Sequence, residues 1–364
     1  MLSEYKSELF NNLQTAIELE HSTIPPYLTA FFTINQETNE FAWNTIRSVV
    51  MEEMLHMSLA CNIMNAVNGS PSIDDPKFIP EYPAELNFAD RKFDVGIIKF
   101  SEAAIQTFME IEKPEEEKLK VKGEDFKKLM APININEHTI GEFYEVIKEQ
   151  LISLVDQYGE DSVFNGDQKK QMSSKEYYGS GGKLIEVVDL KSAIFAIDII
   201  VEQGEGASNS VYDGDNEYFG QDSEVAHYFR FNEIYVGKKY KKNDKPNKPP
   251  TGPPVSIRYG AAKNMIDNPK AKHFPEGSPA RIKADEFNQL YSYFLQLLHL
   301  TFNGQPELMM KAVGMMYQMK YLAAELLNIK VPLNKKGEVA GPPFEYINPP
   351  KRKHFDWLIP ELKL

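Results

Sequence analysis

The most regular patterning in the chain runs from Ile46 to Gly69, where Ile46, Val49, Glu53, His56, Ala60, Ile63 and Val67 recur at alternating steps of three and four residues. That spacing is one face of an amphipathic helix. A second stripe, Leu9, Leu13, Ile17, Glu20, Ile24, Tyr27 and Phe31, predicts a long helix over Ser3–Asn35, kinked at Pro25-Pro26 because each proline removes a backbone donor. The short connection Gln36–Glu40 would fold these two into an antiparallel pair.

Further helices are expected at Thr139–Tyr158, which opens with the capping-box spelling Thr139-Ile140-Gly141-Glu142, and at Val187–Val201, apolar enough to be buried nearly all round. Ser223–Tyr240 restarts the helical period with Glu224, His227, Phe231 and Ile234 in register. Ala284–Phe302 and Glu307–Ile329 predict a hairpin around Asn303-Gly304, whose methionines and aromatics read as adaptable packing. From Ser70 to about Pro132 prolines, short apolar runs and charge break the pattern. KFDVGIIKF there spells a strand and EKPEEEKLKVKGEDFKK a solvated stretch, together a long crossover of the kind that covers a site. Lys238–Pro254 is basic and proline-rich and is expected to run extended, and the tail GPPFEYINPPKRKHFDWLIPEL has no regular period. The expected organisation is a helical bundle over 1–238 with an insertion at about 70–135, a linker over 239–279, and a C-terminal hairpin and tail over 280–364 packed on the bundle.

Composition narrows the function. A net charge of −13 and the absence of a basic run with interleaved aromatics exclude a nucleic-acid surface. Cys61 is the single cysteine, which excludes a disulfide framework and a thiolate cluster and suits a reducing cytoplasm. The N-terminus has no signal-peptide pattern and no apolar run reaches ~18 residues, so a soluble cytoplasmic protein with no membrane partner is expected. No GxGxxG, P-loop or nucleophile elbow is present.

The chemistry lies where charge interrupts the apolar stripes. A carboxylate and an imidazole on a buried face are costly to desolvate unless they pair or hold a metal. Glu20 and the Glu53-x-x-His56 pair sit on such faces, Glu202 closes the buried Val187–Val201 helix, and Glu224-x-x-His227 repeats the pair. Lone Glu, Glu-x-x-His, lone Glu, Glu-x-x-His is the ligand order of dinuclear carboxylate bundles. Carboxylate oxygens with imidazoles suit two iron ions, with manganese as the alternative, and leave positions for dioxygen; zinc is disfavoured by the lack of thiolates. The competing reading is a set of unrelated buried ion pairs, and Glu224/His227 taken alone arises as easily by chance. Glu142 reads as the cap of its own helix ahead of a ligand, although whether it replaces Glu202 or Glu224 stays open. Glu52 is placed on the solvent side and Glu205 behind the ligands. Arg230 either grips a substrate carboxylate or pairs with Glu233, the commoner arrangement. His21, His138, His273, His299 and His354 have no matching spacing.

The segments ELEHSTIPPYLTAFF, VVMEEMLHMSLACNIMNAVNG, IVEQGEG and HYFRFNEI, with FNQLYSYFLQLL, FNG and GPPFEY downstream, resemble the ferritin-like domain of the iminophenylpyruvate dimer synthase type of violacein and rebeccamycin pathways. The similarity runs from about Ser3 to Tyr346. Glu20, Glu53 and His56 match its best-marked positions, Glu202 and His227 fall on recognisable ones, and Glu224 rests on spacing. The resemblance implies an all-α, ferritin-like four-helix bundle and an oxidative role in small-molecule biosynthesis, often on amino-acid-derived substrates. The function expected is therefore a non-haem dinuclear iron, dioxygen-dependent oxidase or oxygenase, its small substrate held under the crossover. Imine-dimer-synthase-like oxidative coupling, a ferroxidase and a non-catalytic metal-binding bundle are the alternatives. Homo-oligomerisation is left open.

Overall fold

The two stripes at the start of the chain fold into long paired helices, α1 (Leu2–Thr33) and α2 (Glu40–Ala66). Leu9, Leu13 and Ile17 meet Ile46, Val49 and Ile63 in the core, all fully buried. α1 runs through Pro25 and Pro26. Pro26 has no N–H to give the Ser22 carbonyl one turn back, and that carbonyl instead accepts the Tyr82 hydroxyl at 2.7 Å, tying the following crossover to α1. The computed structural model describes residues 2–88, 91–114, 126–131, 133–134, 137–179, 181–207, 210–214, 222–331 and 337–347. The middle of the expected solvated stretch, Pro132, Gly220 and the tail beyond Ile347 lie outside the described residues.

The crossover carries an antiparallel hairpin, β1 (Ala84–Phe88) and β2 (Arg91–Val95), with Ala84 opposite Val95. The strand expected through Phe100 therefore stops at Val95. A helix, α3 (Glu102–Ile111), follows, its first turn capped by Ser101 Oγ accepting from Ala104 N. The second half of the bundle is α4 (Ile140–Tyr158) and α5 (Leu190–Glu205), where α5 packs between α2 and α4, and α4 packs on α1. The capping box at α4 is formed as expected, Thr139 Oγ1 and Glu142 N in one bond and Glu142 Oε2 and Thr139 N in the other. α5 is less enclosed than its composition suggests: Lys191 is exposed and Leu190, Ile194 and Phe195 are half-buried, although α2, α4 and the helix that begins at His227 pack on its other sides.

A short helix, α6 (His227–Val236), lies against α3, α2 and α5. From Leu55 to Val67 every residue of α2 is buried, since α1, α5, α6 and the C-terminal helices surround it. Lys238–Pro254, expected to run extended, folds back on itself: Lys238 bridges Pro254, and Asp244 accepts from Lys241 N, Thr251 N and Thr251 Oγ1. The expected hairpin is present as α7 (Pro279–Phe302) and α8 (Met309–Leu326), and its core is continuous with that of the bundle. Among the described residues no helix is long and apolar enough to cross a membrane.

Asn62, fully buried in α2, anchors the connection into α5 by donating to Met172 O and Ile185 O and accepting from Met172 N, each at 2.9 Å. Asn62→Ala strands those backbone groups away from water, so a urea titration is expected to show a loss of about 3 kcal/mol. A loss below about 1 kcal/mol would show that water replaces the amide.

Candidate metal centre

Glu20 on α1, Glu53 and His56 on α2, Glu112 just past α3 and His227 at the start of α6 converge inside the bundle, none more than 7% exposed. His56 Nδ1 lies 3.5 Å from Glu20 Oε2 and 3.8 Å from Glu53 Oε1. His227 Nδ1 lies 2.9 Å from the same Glu53 oxygen and 3.5 Å from Glu112 Oε2. Glu53 Oε1 thus faces both imidazoles, and donor atoms of Glu53, His56 and His227 all fall within 4.8 Å of one another.

The other polar atom of each residue is held from behind. Tyr144 Oη donates to Glu20 Oε1, Thr23 Oγ1 to Glu53 Oε2 and Tyr27 Oη to Glu112 Oε1, each at 2.6 Å. His56 Nε2 meets Gln203 Oε1 at 2.9 Å, and His227 Nε2 meets Glu52 Oε2 at 2.8 Å. Both partners are acceptors, so each Nε2 carries the proton and, in the neutral ring, each inward Nδ1 keeps its lone pair. His227 Nδ1 is buried and, despite its 2.9 Å approach to Glu53, is not aligned for a hydrogen bond. Inward donor atoms with their opposite atoms fixed by hydrogen bonds are how proteins orient metal ligands. Mixed carboxylate and imidazole donors suit iron or manganese, so the residues present fit such an ion.

The electrostatics agree with that fit. Burial, reinforced by the charges of Glu112 and Glu20, pushes Glu53 up to about 7 despite its His227 contact. Burial pulls His227 down, but Glu112, Glu52 and Glu53 outweigh it and hold the imidazole well above its ordinary range; for His56, too, burial lowers but Glu20 and Glu53 outweigh it and raise the imidazole. The interior holds more negative charge than its own groups neutralise, and a bound cation would relieve it in place of protons. Glu52 is the exception. Burial raises it, yet the Arg230 guanidinium at 2.7 Å and His227 bring it down to about 2, so Glu52 and Arg230 stand as a permanent ion pair.

Of the residues expected from sequence, the structure brings Glu20, Glu53, His56 and His227 together. Glu224 is placed elsewhere: its side chain is 61% exposed and pairs with Arg230 Nη2 at 2.9 Å. The helix begins only at His227, and Val225 bridges Tyr212 in extended backbone, so Glu224 and His227 do not share a helical face. On α5, Gln203 meets His56, while half-buried Glu202 is turned about 100° from it by the helical step. Arg230, expected to grip a substrate or Glu233, is engaged by Glu52, Glu224 and Ser48, and Glu233 caps Tyr240 N instead. Glu52, expected on the solvent side, is buried because α6 covers that face of α2. Glu112 was missed, although Ile105, Phe108 and Glu112 continue one stripe at steps of three and four. Glu205 accepts from Gly141 N at 3.0 Å, and a side chain at Gly141 would displace the Glu205 carboxylate from this position.

A ferritin-like family model matches residues 13–236. The chain is 27% identical over 330 residues to dichlorochromopyrrolate synthase of Lentzea aerocolonigenes, covering 83% of this chain and 29% of that protein. It is 24% identical over 233 residues to 2-imino-3-(indol-3-yl)propanoate dimerase of Chromobacterium violaceum, covering 56% of this chain and 21% of that protein. The chain therefore spans less than a third of these relatives' length. A ferritin-like protein from Caulobacter vibrioides shares the fold, with a TM-score of 0.55, 22% identity, and coverage of 92% of this chain and 98% of that one.

Two outcomes follow from this geometry. Under anaerobic Fe(II) titration, Tyr27→Phe weakens iron binding about 10-fold and Glu112→Ala by more, whereas Glu224→Ala leaves it unchanged; equal affinities for Glu112→Ala and wild type would remove Glu112 from the centre. Burial, with Glu112, Glu142 and Glu145 adding and the Gly141 N–H opposing, pushes Glu205 up to about 7. The folded state then binds a proton that the unfolded state has released, so stability falls as pH rises from the ordinary glutamate range through about 7. Glu205→Gln in metal-stripped protein is expected to raise stability by about 3 kcal/mol at high pH and to leave it unchanged at low pH, read from melting temperatures at the two extremes.

Proposed function

Given that the chain belongs to the ferritin-like family, we propose that it is a non-haem iron enzyme, an oxidase or oxygenase that uses dioxygen on a small, amino-acid-derived molecule. The observation that carries this reading is the ring of inward Glu20, Glu53, His56, Glu112 and His227 atoms whose opposite atoms are each fixed by a separate group. Iron bound there would supply the electron transfer and dioxygen chemistry that side chains alone lack. Glu20 and His56 on one side of Glu53, and Glu112 and His227 on the other, would hold the iron together with Glu53, which faces both imidazoles. Manganese is the alternative ion.

The remaining side chains orient and insulate. Tyr144, Thr23 and Tyr27 stop the three carboxylates from rotating, Gln203 and Glu52 set the imidazole tautomers, and Arg230 keeps Glu52 ionised. Burial of the whole ring keeps bulk water out, which strengthens each electrostatic contact. The names of the two curated relatives point to a narrower reading, oxidative coupling of amino-acid-derived imines, and that reading rests on the relatives alone.

Anaerobic Fe(II) loading, removal of free ion and metal analysis are expected to give about two irons per chain. Exposure to oxygen is then expected to produce iron-dependent oxygen uptake that Glu53→Ala abolishes. Uptake equal in wild type and Glu53→Ala, or no retained iron, would overturn the enzymatic reading.

A further inference from the structure

An apolar cavity of about 200 Å³ lies between the α1–α2 pair and the α7–α8 hairpin. Its interior is walled by Phe31 and Met54 on one side and by Phe294 and Val313 on the other. Among the described residues, none of its lining comes from the crossover under which a substrate was expected. The cavity uses different faces of the two helices from those of the metal centre. On α1, Glu20, Thr23 and Tyr27 turn to the centre while His21, Pro25 and Leu28 line the cavity; on α2, Glu53 and His56 turn to the centre while Met54 and Ser58 line the cavity.

Three features separate this space from a packing defect. First, among the described residues the only charged side chains lining it are Arg47 and Lys320, both solvent-exposed, with no Asp or Glu, although the chain carries 53 acidic against 40 basic residues. Second, the half-open tyrosines Tyr178 and Tyr317, from opposite walls, share a hydrogen bond of 2.9 Å beside these cations. Third, His21 lines the interior at 2% exposure; its Nε2 meets Tyr291 Oη at 3.1 Å, and its Nδ1 has no hydrogen-bond partner among the described residues. With its Nε2 turned to Tyr291, the inward Nδ1 is the polar atom of this ring left to meet a ligand.

We propose that this cavity binds a small amphipathic organic anion, with its acid group at Arg47 and Lys320, its apolar body between the methionine and aromatic walls, and a polar atom of that body at His21. The volume sets the size of the body. An apolar cavity of about 150 Å³ holds one benzene ring, so this one takes a body of one to two rings. Soft methionine and aromatic walls accept a flat body in more than one orientation, whereas the charged rim fixes which end points outward. The inference does not depend on iron, because no residue of the centre lines the cavity.

The test uses 2-naphthoate as the probe and 2-acetylnaphthalene as its neutral counterpart of similar shape, titrated calorimetrically into the full chain with and without iron. One saturable naphthoate site per chain is expected, at least 10-fold tighter than the neutral probe. The double substitution Arg47→Gln with Lys320→Gln, at exposed positions that leave folding intact, is expected to weaken naphthoate about 10-fold and leave the neutral probe unchanged. Val313→Trp, which fills the cavity, is expected to abolish both, with retention of the fold checked by circular dichroism. Absence of saturable binding, naphthoate affinity unaffected by the double substitution, or equal loss for both probes in that variant would overturn the proposal. Iron retention is unaffected by the rim substitutions in every case, so failure here is separable from failure of the metal reading.

Discussion

Three carboxylates and two imidazoles share one dry interior, and much of the rest of the molecule is arranged to tolerate that crowding. A lone buried carboxylate costs several kcal/mol in lost hydration, and like charges close together add to it. Here Tyr144, Thr23 and Tyr27 return part of that hydration as short hydrogen bonds, and Arg230 neutralises the neighbouring Glu52. The supporting groups come from α1, α2, α4 and α5, so every helix of the bundle is tied to the cluster. A cation at its middle would turn an electrostatic liability into the strongest cohesive interaction in the fold.

The residues legible in the sequence were those whose chemistry contradicted their periodicity. Glu20, Glu53 and His56 stood out because charge sat on otherwise apolar stripes of long helices. His227 was found through a spacing that the structure does not use, since the helix starts at His227 and leaves Glu224 exposed. Glu52 was misplaced because a single-stripe reading assumes a wet opposite face, whereas α2 is enclosed by α6 on that side. Glu112 escaped notice because it opens a run of charges, and local composition there masks the two apolar residues that lead into it. Partners such as Tyr144 and Gln203 are set by tertiary contact and leave no local signature.

The supply of donor atoms is asymmetric. α1 and α2 carry Glu20, Glu53 and His56, while α4 and α5 present Tyr144 and Gln203 at the cluster instead of a second carboxylate and imidazole. The remaining donors come from outside these four helices, Glu112 from the end of α3 and His227 from the start of α6. Those two helices pack on each other and on α1 through Tyr27, Phe108 and Phe231, whose ring centroids lie 4.4 to 5.3 Å apart. Tyr27 belongs both to that aromatic contact and to the hydrogen bond that orients Glu112. The position of the crossover and the geometry of the donor ring are therefore set by the same side chain.

The helix pair α1–α2 also separates two environments with opposite demands. Toward the centre it must present rigid polar atoms; toward the C-terminal hairpin it presents soft apolar surface interrupted by the neutral His21. Helical periodicity makes this cheap, because one residue step turns a side chain by about 100°. Glu20 and His21, or His56 and Met57, thus belong to different compartments while sharing one backbone. The hairpin closes the apolar side: without α7 and α8, Leu28, Phe31 and Met54 would form an exposed apolar patch beside Arg47. The hairpin thus packs on the face of the α1–α2 pair opposite the cluster and reaches the centre only through those two helices.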